Sequence, residues 1–233
     1  MDRMNRCRRP LPEIIKALEK AYGRPGAPPA TGPLEMILWE NVAYLVDDER
    51  HERAFVALKE RVGTDPVRIL AAPRELLLEV AKLGGMKPEL RVEKLREIAR
   101  IALQECGGDL EEVVRRPLPE ARKILEMFPA IGEPGADRIL MFAGAAPVLA
   151  LDSNGLRVLQ RLGFGEEKKS YALGYRSARE TAMAGIRKDA RWLAHAHLAL
   201  RRHGRTLCRR SNPACDLCPL SGWCHFNLTQ RRV

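Results

Sequence analysis

Apolar positions recur along this chain every three or four residues, in stretches separated by short breaks rich in proline and glycine. That spacing puts the apolar side chains on one face of a helix. The first stretch is Pro12–Ala21, where Ile14, Ile15, Leu18 and Ala21 share a face. The segment Gly23-Arg24-Pro25-Gly26-Ala27-Pro28-Pro29 follows as an irregular linker. The pattern then predicts helices over about 34–47, 50–62, 73–83, 89–106, 117–127, 135–145, 153–163, 170–186 and 189–203. Asp48 and Pro73 stand at expected starts, and Gly63, Gly84 and Gly163 at expected stops. No stretch alternates like a strand closed by a hairpin turn. The expected fold class is all-α.

Composition agrees. The chain has 233 residues, 45% of them hydrophobic and only 5% aromatic, enough for a real core in one or two modest domains. No apolar run approaches the roughly 20 residues that cross a bilayer, and the N-terminus lacks an apolar signal core, which argues against spanning and secretion. Forty Lys and Arg against thirty Asp and Glu leave a net charge of +10. Such a surplus draws a protein towards polyanions, nucleic acid first, although a soluble protein can also simply be basic. Four of the six cysteines fall between 208 and 224, which points to a metal site in a reducing cytoplasm and not to a disulfide scaffold.

Two local motifs carry chemistry. At Phe128-Pro129-Ala130-Ile131-Gly132 one helix ends and another starts near Gly135. Such a turn either connects two packed helices or presents backbone N–H groups to a phosphate. The stronger motif is Cys208-x6-Cys215-x2-Cys218-x5-Cys224. Four thiolates ligate a tetrahedral zinc or an iron–sulfur cluster. Zinc modules usually pair two short knuckles, whereas here a single CxxC is flanked by wider gaps, as suits one compact object wrapped by a loop. Arg205, Arg209 and Arg210 lie beside it, and Cys7 and Cys106 read as ordinary thiols.

The cysteine spacing, preceded by His203-Gly204-Arg205, resembles the [4Fe-4S] loop of the endonuclease III class of helix–hairpin–helix DNA glycosylases. The turn at 128–132 resembles that family's hairpin, LPGxG, and Leu151-Asp152-Ser153-Asn154 resembles the segment with its essential Asp. All three occur in family order over about 33–224. The resemblance implies a two-lobed fold. A six-helix barrel with the hairpin would span 33–146, and an iron–sulfur domain would combine 1–32 with 147–233. It also implies a [4Fe-4S] cofactor on Cys208, Cys215, Cys218 and Cys224, double-stranded DNA as partner, no membrane, and a monomer in the cytoplasm, nucleoid-associated if the source is bacterial or archaeal. Phe128, Pro129, Ala130, Ile131, Gly132 and Gly135 would bind DNA.

The chemistry also stands without the family. Cleaving an N-glycosidic bond builds positive charge on the sugar, so a carboxylate near C1′ stabilises that state and can orient the attacking water. Asp152 is the candidate, twenty residues after Gly132, although Asp-Ser-Asn-Gly is also a good helix N-cap. Asn154 reads either as an aid to that carboxylate, as in adenine- and thymine-mismatch relatives, or as a polar residue of a first helical turn. Ungapped alignment to those relatives makes Glu40 a second carboxylate or a solvated helix residue. It also places Tyr44 where the family wedges a Gln into the duplex, though a tyrosine there could as well be packed. Glu35 reads as a surface residue, His195 and His197 as packing or surface residues, and Arg201-Arg202-His203 as phosphate contacts or a solvated face.

Two departures matter most. Pro134 stands where bifunctional members carry a lysine nucleophile, and a proline within a chain has no amine for a Schiff base. Ala130 replaces the hairpin's first Gly. The expected activity is therefore a monofunctional base excision repair glycosylase. The alternatives are a lesion sensor on the same scaffold with little catalysis and, more distantly, a basic zinc protein.

Overall fold

The computed structural model describes residues 8–166, 168–187 and 189–230. They form thirteen α-helices and two 3₁₀ turns, with no strand beyond an isolated bridge between Tyr44 and Gly85. Among the described residues no helix is long and apolar enough to cross a membrane. Cys7 and the tail residues Arg231-Arg232 lie outside the described residues. The chain divides into two compact units, Pro28–Ala146 and the pair Met1–Ala27 with Pro147–Val233.

The unit Pro28–Ala146 holds α2 (Gly32–Val42), α3 (Asp48–Arg61), α4 (Pro66–Ala71), α5 (Arg74–Leu83), α6 (Pro88–Gln104), α7 (Leu110–Arg115), α8 (Leu118–Leu125) and α9 (Glu133–Phe142). Helices α4 and α7 are not in the sequence reading, because six residues are too few to show a period. Each nevertheless begins on an aspartate cap, Asp65 accepting from Arg68 N–H at 3.0 Å and Asp109 from Glu112 N–H at 3.1 Å. Helix α2 is the hub. It packs against α3, α6, α7 and α9, and Met36, Ile37, Leu38 and Val42 are buried around it.

Helix α2 stops at Val42, five residues before the expected end at 47. Ala43 turns to extended backbone, the Tyr44 N–H donates to Gly84 O at 2.9 Å, and Leu45 takes a positive φ of 55°. Any side chain at Gly84 would place its Cβ 2.0 Å from Val42 O, so the bare backbone there is what lets α5 close on the end of α2. Glu35 is not a surface residue. Its carboxylate accepts from Thr31 N–H at 2.8 Å, Lys59 at 2.9 Å and the Thr64 hydroxyl at 2.9 Å. Burial alone would raise its pKa, but those bonds outweigh it and hold the carboxyl below its ordinary value.

The second unit is built on α12 (Ala190–Thr206), which packs on α1 (Leu11–Tyr22) and α10 (Ser153–Arg161). Helices α11 (Tyr171–Met183) and α13 (His225–Gln230) complete it. Leu11, Ile14, Ile15 and Leu18 bury the inner face of α1. The Tyr22 hydroxyl lies 2.8 Å from His203 Nδ1, and Arg202 donates to Tyr22 O at 2.8 Å, joining the two chain segments. Gly204 lets α12 approach α10, since a Cβ there would meet Asn154 backbone and Cβ atoms at 2.8–2.9 Å.

Candidate active site and metal centre

The turn between α8 and α9 folds as a hairpin whose apolar residues face inward. Phe128 and Ile131 are 2% and 5% exposed, and Gly135 packs against Ile131. The Phe128 and Ile131 side chains are therefore core, and their N–H groups donate to Leu125 O and Phe128 O within the turn. Ala130 and Gly132 are exposed, and neither N–H reaches a backbone carbonyl among the described residues. The hairpin is tied to α2 by Asn41, whose side-chain amide donates to Pro129 O at 2.8 Å and Ile37 O at 3.0 Å. Ala130 adopts φ 61°, the left-handed region that explains why the family pattern has Gly here. That conformation costs an Ala about 1–2 kcal/mol, and a Gly would return about 0.4–1 kcal/mol through unfolded-state entropy. Ala130→Gly is therefore expected to stabilise the fold by about 0.5–1 kcal/mol in thermal melts. A lowered melting temperature would show that the turn carries no strain.

Glu40 is neither solvated nor free. It pairs with Arg138 at 2.5 Å, and both side chains are largely enclosed. Tyr44 is not packed but 59% exposed, beside Leu45 at 76% and Met86 at 59%. Glu40, Asn41, Tyr44, Met86, Lys87 and Lys94 are among the residues around a cavity of ≈ 740 Å³ in this unit, and Ala130 also lines it.

Asp152 caps α10, its Oδ1 accepting from Gly155 N–H at 2.7 Å. Four other helices, α3, α4, α7 and α12, start on aspartate caps, at Asp47, Asp65, Asp109 and Asp189, and all four are exposed. Asp152 differs from them. Its side chain is only 17% exposed, Oδ2 accepts from Asn154 Nδ2 at 3.1 Å, and Arg201 Nε lies 3.5 Å away. Burial would raise its pKa, yet His197, the Gly155 N–H, Asn154 and Arg201 overcome that and hold the carboxyl below its ordinary value. Asn154, in the first turn of α10, is thus bonded to the carboxylate. The histidines are buried, not surface: His197 Nδ1 sits 2.9 Å from Ala150 O, and His195 lies 2.7 Å from Glu19. His203 is buried against Tyr22 and Cys218, not set to touch phosphates, and burial pushes its pKa down to about 4.

Cys208, Cys215, Cys218 and Cys224 all line one small pocket, walled by Val158, Leu162, Leu207, Leu220 and Phe226 among others. Among the described residues no three His, Cys, Asp or Glu side chains converge as ligands of one metal ion. A zinc ion, with Zn–S of about 2.3 Å, would need such convergence. Sulfurs spread around a cavity fit a polynuclear cluster instead. Burial pushes the Cys218 thiol up to about 11 and the Cys224 thiol above its ordinary value, the condition that a coordinating metal reverses. Cys106 is a half-buried thiol elsewhere.

The loop is held from α10. Arg157 donates to Cys208 O at 2.9 Å, Gly204 O at 2.8 Å and Asn154 Oδ1 at 2.9 Å, with Ser153 O at 3.5 Å. Arg161 donates to Cys208 Sγ at 3.3 Å and Arg209 O at 2.8 Å. The Cys224 thiol in turn donates to Arg161 O at 3.4 Å.

The model of the iron-sulfur binding domain of endonuclease III matches residues 208–224. Endonuclease III of Thermotoga maritima is 25% identical over 92% of this chain and 90% of its own. The structure of a non-covalent endonuclease III–DNA complex superposes with a TM-score of 0.76 and 19% identity, covering all of both chains. The chain belongs to the endonuclease III-like helix–hairpin–helix superfamily. A thymine/uracil-DNA glycosylase of Pyrobaculum aerophilum is 29% identical over 53% of this chain and 55% of its own. Matches to endonuclease III of three Rickettsia species span about half the length of those enzymes.

The fold is accordingly the all-α helix–hairpin–helix glycosylase fold with a C-terminal iron–sulfur loop, and the cofactor of this endonuclease III-like chain is a [4Fe-4S] cluster. Sequence reasoning missed Arg157 and Arg161 as holders of that loop. Their positions at i and i+4 on α10 were visible, but their partners lie 47–51 residues away.

Proposed function

We propose that this chain is a monofunctional DNA glycosylase that hydrolyses the N-glycosidic bond of a damaged or mismatched base, with Asp152 as its catalytic carboxylate. The observation that carries the reading is the state of Asp152, enclosed yet kept ionised by its neighbours. As the glycosidic bond lengthens, the sugar gains positive charge, which the Asp152 carboxylate stabilises. Water adds to C1′ and gives its proton to Asp152, while the base leaves with the bonding electrons and takes up a proton. Asn154 and Arg157 keep the carboxylate in place. The exposed Ala130 and Gly132 amides would hold a flanking phosphate. The exposed ring of Tyr44 suits stacking in the gap left by a flipped base. Glu40 is the candidate second carboxylate.

Cys208, Cys215, Cys218 and Cys224 would hold the [4Fe-4S] cluster, which when bound supplies four iron–thiolate bonds that tie the loop together. Pro134, in the first turn of α9, supports the monofunctional half of the reading. The Pyrobaculum relative makes thymine and uracil the first bases to test.

The test is a panel of duplexes carrying single damaged or mismatched bases, run with and without alkali. Strand breaks are expected only after alkali, with no borohydride-trapped protein–DNA adduct. Breaks without alkali, or a trapped adduct, would assign lyase chemistry to another amine. Lys94 and Lys87, which line the Glu40 cavity, would then be examined first. Binding to every duplex without base release from any of them would favour the lesion sensor.

A further inference from the structure

Two residues of α12, His197 and Arg201, act on the cap of α10. They are four residues apart and so share one face of the helix, a single turn from each other. Arg201 Nε lies 3.5 Å from Asp152 Oδ2. The helices are close here, since a Cβ on Gly155 would meet Leu200 Cβ at 3.5 Å and Asp152 Oδ1 at 3.4 Å. His197 is buried, and its Nδ1 lies 2.9 Å from Ala150 O. A carbonyl oxygen only accepts, so Nδ1 carries the proton of that bond, and the proton that charges the ring goes to Nε2. Ala150 and Leu151, both fully buried, lead directly into Asp152. Burial disfavours the ionised form of Asp152, and the charge of His197 is the largest influence opposing it, ahead of the Gly155 N–H, Asn154 and Arg201. The other ionisable groups near these helices have partners of their own. Glu19 of α1 meets His195 at 2.7 Å, Tyr22 of α1 meets His203 at 2.8 Å, and Arg157 of α10 binds Cys208 O, Gly204 O and Asn154 Oδ1.

We propose that His197 is a positioning residue of the active site: its Nδ1–H anchors the backbone that carries Asp152, and the charge on its ring keeps that carboxylate ionised into acid. The inference rests on the glycosylase reading above and adds to it a residue that acts through Asp152. The reaction asks for both parts. Stabilising a positively charged sugar takes an ionised carboxylate, yet enclosing the carboxylate drives it towards its protonated form. A histidine suits the task, because imidazole gains its charge in the acid range where a carboxylate begins to take up a proton. Above that range the ring is neutral and easier to bury. The anchor on Ala150 matters for a separate reason, since a small displacement of a catalytic group is costly even when its charge is intact.

The experiment compares the cluster-loaded full chain with His197→Asn and His197→Gln. Asparagine brings its amide to the place of Nδ1 and keeps a donor for Ala150 O, whereas glutamine carries it out to the place of Nε2 and gives that bond up. Both remove the charge. Base release from the duplexes of the panel is followed from neutral pH into acid, with kcat and KM separated. The acid limb of His197→Asn is expected at higher pH than that of wild type. His197→Gln should show the same displacement and, in addition, a kcat lower by up to about 10²-fold at every pH. KM for the duplex should not move in either variant. Stability gives a reading that needs no base release. Asp152 contributes stability above its unfolded pKa and loses it as pH falls through the folded one. The melting-temperature gap between His197→Asn and His197→Asn/Asp152→Asn should therefore close at a higher pH than the gap between wild type and Asp152→Asn. Visible absorbance confirms the cluster in each variant, and His197→Gln serves for the same comparison where His197→Asn does not fold. Acid limbs and melting gaps that coincide with those of wild type overturn the role of His197 alone. Base release that survives Asp152→Asn, or a wild type that releases no base from any duplex, overturns the glycosylase reading instead, and the melting gaps still decide whether His197 holds the Asp152 charge.

Discussion

Asp152→Asn is expected to reduce base release by at least about 10²–10³-fold, the range for losing a preorganised electrostatic group, while the protein stays folded. Asparagine caps a helix about as well as aspartate, and its oxygen can still accept from the Gly155 N–H that now bonds Oδ1 at 2.7 Å. The substitution therefore removes charge and proton-accepting capacity while leaving the cap. If Asp152 served only to start α10, as the four exposed aspartate caps do, the variant would excise bases at the wild-type rate, and the catalytic assignment would fall. Asp152→Ala separates the two roles further, because it also loses the cap, worth about 1 kcal/mol. A pH dependence follows from the depressed pKa. A carboxylate whose folded pKa lies below its unfolded value contributes stability above the unfolded pKa, and loses it as pH falls through the folded one. The melting-temperature gap between wild type and Asp152→Asn should therefore be present at neutral pH and close in acid below the ordinary carboxylate range. Wild-type excision should persist to the same depressed pKa. A gap that stays constant down to that acid range would mean that His197 and Arg201 do not hold the charge.

What was legible in the sequence was local. Helical periodicity located ten of the thirteen helices, because burial of one face leaves its mark every three or four residues whatever the partner. The three it left out, α4, α7 and α13, have six residues each, fewer than two turns. Asp65 and Asp109 cap two of them, but with six residues each helix shows its buried positions only once, as at Leu110, Val113 and Val114 of α7. The end of α2 was missed for another reason. Residues 43–46 continue the apolar pattern, and only a non-local contact, Tyr44 N–H to Gly84 O, draws the chain out of the helix and leaves the Tyr44 ring exposed. Pairings across long separations were equally hidden. Glu40 reads from sequence either as a second carboxylate or as a solvated helix residue, because its partner Arg138 lies 98 residues away. Ala130 shows the opposite case, since a departure from the Gly pattern at one position marked a real strained φ.

Replacing one cluster ligand, Cys218→Ala, is expected to cost more than about 4 kcal/mol, the scale set by losing a metal or a buried network, and to yield colourless protein. The reason lies in how little else holds the loop. Its two 3₁₀ turns, Cys215–Leu217 and Ser221–Trp223, contain no buried residue, and Leu220 and Cys224 are the buried apolar side chains it contributes. Its backbone bonds are few and short-range, such as Cys218 N–H to Cys215 O and Ala214 N–H to Leu207 O. A segment with so small an apolar face does not offset the entropy of ordering it, about 1–2 kcal/mol per residue of backbone, so metal–thiolate bonds must supply the difference. The damage should also travel. Arg157 grips Cys208 O with one nitrogen and, with another, Asn154 Oδ1, and Asn154 in turn donates to Asp152 Oδ2. Once the loop is released, Arg157 loses its fixed end, so proteolysis after Arg205, Arg209 and Arg210 and loss of base release should appear together in Cys218→Ala. Arg157→Ala keeps all four thiols and is expected to retain visible absorbance while lowering excision. If Cys218→Ala melts within about 1 kcal/mol of wild type, the loop is held by its own backbone and the cluster is dispensable for folding.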